Sequence, residues 1–275
     1  MVSPHDRLLQ AVASEWELRV DGPTSEGPRP GVPVRTATGE PALLEHAPEG
    51  SAYEHLALRA WDGRGAVRLL RADPRRHLLL TERTDPDDDL RALDVWEACT
   101  EVGNLYAVLH RPPIPQPPRL ADLAPAWSAD LDLPAVRAAV PRRFLEQVRA
   151  WTPGLVDANE AEPVLLHGDL RPATVRASAE RRWVAVAPQP VTGDPAYEVA
   201  AVLQRWEGAE ASEDLRGDLL ERFYAVVDAA GLDEDRARAW VVVRTVVELA
   251  AAFARGSVPA DQVTWATTVV KAVQR

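Results

Sequence analysis

Residues 166–174 read Leu-His-Gly-Asp-Leu-Arg-Pro-Ala-Thr. A short apolar run, residues 164–166, enters this segment, so a strand should deliver His167, Gly168 and Asp169 to a loop. A carboxylate on such a loop can orient a hydroxyl toward a phosphoryl group, and the same chemistry uses an asparagine five residues on to hold a metal ion. Asp169 fills the carboxylate position, but Thr174 stands where that asparagine is needed. A second apolar run, residues 183–186, ends at Ala187-Pro188, and Gly193-Asp194-Pro195 opens the next helix. Asp194 directly before proline reads as a helix N-cap.

The surrounding pattern supplies elements to position these groups. Residues 5–16 have helical periodicity, and residues 21–31 are dense in Gly and Pro and read as loop. Residues 31–35 and 41–46, separated by Thr38-Gly39, predict a hairpin. Residues 51–61 predict a helix, and residues 66–70 and 77–82 two more strands turning at Asp73-Pro74. These make an N-terminal lobe over residues 1–85. After the acidic stretch 85–89 the pattern turns helical, so residues 86–275 form a second, helical lobe carrying the His-Gly-Asp loop. Its helices are expected at 91–110, 135–151, 198–206, 214–230, 233–253 and 260–274. Residues 111–119 hold five prolines in nine residues and must run extended.

Composition narrows the function classes. A net charge of -11 argues against a nucleic-acid partner, which needs a basic face. The single cysteine, Cys99, allows no disulfide within the chain and fits a reducing cytoplasm. Residues 1–18 contain no apolar run suited to a signal peptide or a membrane span. Thirty of the 31 basic residues are arginine, and the only lysine is Lys271. No mechanism in the first 270 residues can therefore use a lysine.

The chain resembles the antibiotic phosphotransferases, and most of all their streptomycin-kinase and hydroxyurea-phosphotransferase branch. The resemblance rests on His-Leu-Ala-Leu-Arg-Ala-Trp at 55–61, Gly-Ala-Val-Arg-Leu-Leu at 65–70 and Leu-His-Arg-Pro at 109–112. It continues through His-Gly-Asp-Leu at 167–170 and Gly-Asp-Pro-Ala-Tyr-Glu at 193–198, all in the family's order. It implies an α+β, protein kinase-like two-lobe fold with a small β-sheet lobe and a larger helical one. It also implies a phosphoryl-transfer site that uses ATP and magnesium.

Measured against that pattern, the site is degenerate. The N-lobe lysine that grips nucleotide phosphates follows the strand ending Pro-Ala-Leu-Leu, and this position is Glu45. Its helix partner corresponds to Glu54, so two carboxylates stand where an ion pair is expected. Like charges about 4 Å apart repel by ~1 kcal/mol in water and more where water is excluded. Thr174 replaces the catalytic-loop asparagine, and Ala187 replaces the second metal-binding aspartate. Asp169 is the retained base position. His167 anchors the loop structurally, Arg171 takes the place of a family histidine as a solvated loop residue, and Asp194 is mainly a cap. Trp206 is a candidate ligand platform. The resulting expectation is a pseudokinase that binds a partner protein or a small molecule and needs no cofactor. The alternative is an active ATP- and magnesium-dependent phosphotransferase, with Asp169 as base and Thr174 and Asp194 as metal ligands.

Overall fold

The computed structural model describes residues 4–157, 161–179, 183–205 and 213–274. Trp206 lies outside them. The chain divides into two compact units, Met1–Asp89 with Thr174–Gln189, and Leu90–Ala173 with Pro190–Arg275.

The first unit begins with α1 (Pro4–Glu15) and β1 (Arg19–Val20), then β2 (Gly31–Arg35) and β3 (Pro41–His46). Helix α2 (Glu54–Trp61) precedes β4 (Leu69–Asp73), β5 (Leu78–Glu82) and β6 (Thr84–Asp89). Among the described residues, β1–β5 form an antiparallel sheet in the order β1-β2-β3-β5-β4. Period-two alternation sends Val32, Val34, Ala42, Leu44, Leu78 and Leu80 to one face. Helix α1 covers that face with Leu9, Val12 and Ala13, residues at helical spacing, and Trp16 just after the helix joins them. Each Val or Leu among them taken fully from water contributes about 1.5–3 kcal/mol.

The acidic stretch ending at Asp89 is a strand, although Asp has low strand propensity. Tertiary pairing decides it. After β7 (Val164–Leu166) the chain returns to this unit as β8 (Val175–Ser178) and β9 (Trp183–Ala185), and β6-β8-β9 make a second sheet. Arg176 on β8 forms an ion pair with Asp89, and Val67 N–H donates to the Ala185 carbonyl at 2.9 Å.

In the second unit, α3 (Val95–Leu109), α4 (Leu120–Asp130), α5 (Pro134–Ala139) and α6 (Arg142–Leu155) precede β7. Strand β10 (Val191–Gly193) pairs antiparallel with β7 and leads into a 3-10 helix, Pro195–Leu203. Helices α7 (Leu215–Ala230), α8 (Glu234–Arg255) and α9 (Ala260–Val273) follow. Asp94, Asp214 and Asp233 cap α3, α7 and α8 by accepting backbone N–H bonds. Gly103 lets α3 approach α7 closely, since a Cβ there would stand 2.7 Å from Ala229 Cβ. The expected helix at 135–151 is two helices broken at Pro141, whose ring cannot continue the backbone ladder. No described helix is long and apolar enough to cross a membrane.

Candidate functional site

In the second unit, β7 delivers His167, Gly168 and Asp169 to a tight loop. Gly168 has φ +85°, a left-handed conformation that a side chain disfavours. His167 is fully buried, and its Nδ1 accepts from the Asp169 N–H at 3.3 Å. Three other elements clamp the loop backbone. Glu198, on the 3-10 helix, accepts from Gly168 N–H at 2.6 Å. Arg244 on α8 donates from Nη2 to the Gly168 carbonyl at 2.6 Å, and from Nε to Glu248 at 2.6 Å. The Tyr106 hydroxyl on α3 lies 3.0 Å from the Leu170 carbonyl and 3.1 Å from that of Glu198.

Glu198 is fully buried. Burial alone would raise its pKa, but His110, His167 and the Gly168 N–H hold it below the usual carboxylate range. It is therefore an ionised acceptor at neutral pH, and charge-assisted bonds of this kind are the strong ones. Sequence reasoning did not single out Glu198, Arg244 or Tyr106. The available signal for Glu198 was a lone charge in the otherwise apolar run 195–203.

Asp169 does not present a bare carboxylate. Arg171 Nε lies 3.0 Å from its Oδ1, with the Asp169 side chain 17% exposed. The expectation that Arg171 is merely solvated is corrected: backbone turning at residues 170–172 brings its guanidinium onto Asp169.

Asp194 is buried and saturated. Its Oδ1 accepts from Ala196 N–H at 2.9 Å, which is the helix cap. Its Oδ2 accepts from Trp240 Nε1 at 2.5 Å and from Arg236 Nε, both on α8. A carboxylate so engaged locks the 3-10 helix to α8.

In the first unit, Glu45 at the end of β3 and Glu54 at the start of α2 do converge, and a cation stands between them. Arg29, in the loop before β2, donates from Nη2 to Glu54 Oε2 at 2.6 Å, and its Nη1 is 3.7 Å from Glu45 Oε2. The expected bare repulsion is thus an Arg-bridged triad. Burial opposes the charge of Arg29, but Glu45 and Glu54 hold its pKa above the ordinary value. Burial pushes Glu45 up to about 7; Arg29 opposes this, Glu54 adds to it and Arg176 opposes it. Burial also raises Glu54, against the charge and hydrogen bond of Arg29. Sequence reasoning missed Arg29 because it sits in the Gly-Pro-rich loop, 16 residues before Glu45.

Thr174 is nearly buried, and its carbonyl accepts from Val186 N–H at 2.9 Å. Ala187, two residues after β9, has φ +55°, the left-handed region that Asn, Asp and Gly occupy more readily than Ala.

A family model described as "Aminoglycoside/hydroxyurea antibiotic resistance kinase" matches residues 19–256. The chain belongs to that family. It is 38% identical over 240 residues to a hydroxyurea phosphotransferase of Kitasatospora aureofaciens, covering 84% of this chain and 68% of that protein. It is 32% identical over 246 residues to a streptomycin 6-kinase of Streptomyces glaucescens, covering 86% and 79%. The aminoglycoside phosphotransferase APH(4)-Ia has the same fold, with a TM-score of 0.62 over 97% of each chain at 15% identity. The α+β kinase-like fold expected from the sequence is therefore the fold of this chain.

The residues present do not fit a magnesium ion of the kind the family resemblance implies. Ala187 offers a methyl group, Asp169 is paired with Arg171, and Asp194 is occupied by three donors. Among the described residues, no group of three or more His, Cys, Asp or Glu side chains converges in a way that could hold a metal. A threonine oxygen alone is a weak ligand for a hard divalent cation.

Proposed function

We propose that this chain is a binding protein on the antibiotic-kinase scaffold, a pseudokinase that engages a small molecule or a partner protein and does not transfer phosphate. One observation carries the reading. Ala187, two residues after β9, holds the left-handed backbone suited to an aspartate or asparagine, but its side chain bears no ligand atom. Without a metal ion, charge developing on a transferred phosphoryl group goes unneutralised, and that is the dominant catalytic term. The reading includes a cytoplasmic setting and no resident cofactor. Cys99 is consistent with it: burial pushes its thiol up to about 12, so the group stays protonated and unreactive.

The test is radiolabelled phosphoryl transfer from ATP to streptomycin and hydroxyurea. It compares wild type, Asp169→Asn, and a triple variant carrying Glu45→Lys, Thr174→Asn and Ala187→Asp. Wild type should show no transfer above background. Transfer by wild type that Asp169→Asn abolishes would establish a working kinase.

A specific observation favours that second reading, an active phosphotransferase on a small-molecule hydroxyl. Arg29 supplies a cation against Glu54, the partner expected to hold the missing lysine. Titration calorimetry with ATP, with and without magnesium, separates the two. Binding that requires magnesium and is lost in Arg29→Ala would support the active reading; its absence supports the pseudokinase.

A further inference from the structure

The second unit contains a groove of about 430 Å³ between α4 and α6, within the ~300–1,000 Å³ range of small-molecule sites. A cavity of about 150 Å³ is enough for benzene, so this one has room for two or three fused rings. It lies outside the loop that carries Asp169.

The lining has a distinct chemistry. Trp127, Leu131 and Val148 are its large apolar members, and Ala121 and Ala124 leave space in front of them. The Trp127 ring stacks on Tyr197 at 6.4 Å with an interplanar angle of 6°. Tyr197 in turn meets Trp240 edge-on at 5.2 Å, and the Arg244 guanidinium sits 4.3 Å from the Tyr197 ring centre. The platform is thus backed by a packed aromatic column, which lowers the ordering cost of binding.

Both walls also contain a proline inside a helix, Pro125 in α4 and Pro153 in α6, and both line the groove. Proline has no N–H, so the carbonyl four residues earlier loses its helical donor. Those carbonyls belong to Ala121 and Arg149, and both residues line the same groove. Two carbonyls on residues that line the groove thus lack their ordinary helical donor. Among the described lining residues Arg149 alone is charged, and it pairs with Asp132 beside the groove at 2.9 Å, so the lining itself offers a polycation no carboxylate.

We propose that the α4–α6 groove is a binding site for a compact, uncharged aromatic molecule bearing one or two O–H or N–H donors. Its ring lies against Trp127 and its donor meets the carbonyl of Ala121 or Arg149. The chemistry is phenolic or indolic and excludes polycationic aminoglycosides.

The probe is 2-naphthol, neutral at neutral pH, titrated into the full chain by calorimetry. We expect one saturable site with a dissociation constant below about 1 mM. Its methyl ether, which lacks the donor, should bind at least about fivefold more weakly. Ala124→Phe, which fills the groove, should weaken 2-naphthol at least about tenfold. Ala121→Phe on the exposed first turn of α4 should do the same, and it keeps the test valid if Ala124→Phe unfolds. Streptomycin should not displace the probe. No saturable binding, equal affinity for the methyl ether, unchanged affinity in a folded groove-filling variant, or displacement by streptomycin would each overturn the proposal.

Discussion

Glu45→Gln should make the protein more stable at mildly alkaline than at acid pH relative to wild type, and the sign follows from its surroundings. Glu45 has an ordinary value of 4.5 and is pushed up to about 7 in the folded chain. The folded state thus keeps a proton that the unfolded state has lost throughout that window. Where the folded state binds more protons, stability falls as pH rises. The penalty is absent well below the unfolded value, grows through the window, and is complete above about pH 7. At ~1.36 kcal/mol per pH unit the full penalty is about 3 kcal/mol, an upper bound because Arg29 can move closer to the ionised carboxylate. Near pH 5 it is about 1 kcal/mol. Glutamine keeps the shape and hydrogen-bonding capacity without the charge. The stability difference between variant and wild type should therefore increase by about 2 kcal/mol from about pH 5 to about pH 8. Urea unfolding at both pH values, followed by two optical probes, measures it, and an unchanged urea dependence licenses the comparison. A difference equal at both pH values within about 0.5 kcal/mol, or one growing toward acid, would refute the account of the Arg29 triad.

Two further predictions concern the second and first units in turn. Asp194→Ala removes the carboxylate partner of Arg236, which keeps its bond to the Leu155 carbonyl, and leaves the Trp240 and Ala196 N–H groups without their acceptor in a buried setting. It should cost about 3–5 kcal/mol, the range for breaking a buried pair, where a simple cap costs about 0.5–2 kcal/mol; a thermal-unfolding loss within the cap range would contradict the locking role. Ala187→Gly relieves a left-handed side chain and should stabilise by up to about 1 kcal/mol, whereas Ala187→Val should destabilise by more than that. A lower urea midpoint for the glycine variant than for the valine variant would dispose of the strain argument.

Legibility in the sequence followed whether a signal was local. The hairpin was legible to the residue, β2 at Gly31–Arg35 and β3 at Pro41–His46, because alternation and Thr38-Gly39 are local. Gly39 indeed turns with φ +84°. Helix α4 was not foreseen, since it follows the proline-rich connector and itself contains Pro125. Its start is held by Asp122, which accepts from the Arg119 N–H at 3.2 Å. Strand β6 was invisible because its pairing partner β8 lies some 90 residues on. At the site, the assignments of Glu45, Thr174 and Ala187 came from the family resemblance and not from a local pattern. What neutralises the remaining carboxylates was not legible, because Arg29 meets Glu54 across 25 residues of chain and only folding chooses it.

That last gap bears on function. A carboxylate withdrawn from water is costly unless a cation or donor faces it. The family resemblance assigns that task at this site to a lysine and to metal ions. In this chain the task falls to arginines bound covalently to the same fold, Arg29 for Glu45 and Glu54, and Arg171 for Asp169. An arginine is charged at every accessible pH and brings a fixed fork of donors. These arginines face Glu54 and Asp169 directly and Glu45 at 3.7 Å, so an external cation would compete with them for these carboxylates. Meanwhile the contacts that shape the His-Gly-Asp loop, from Glu198, Arg244 and Tyr106, all remain. The loop is thus held by bonds within the chain itself, and this supports the binding role proposed above.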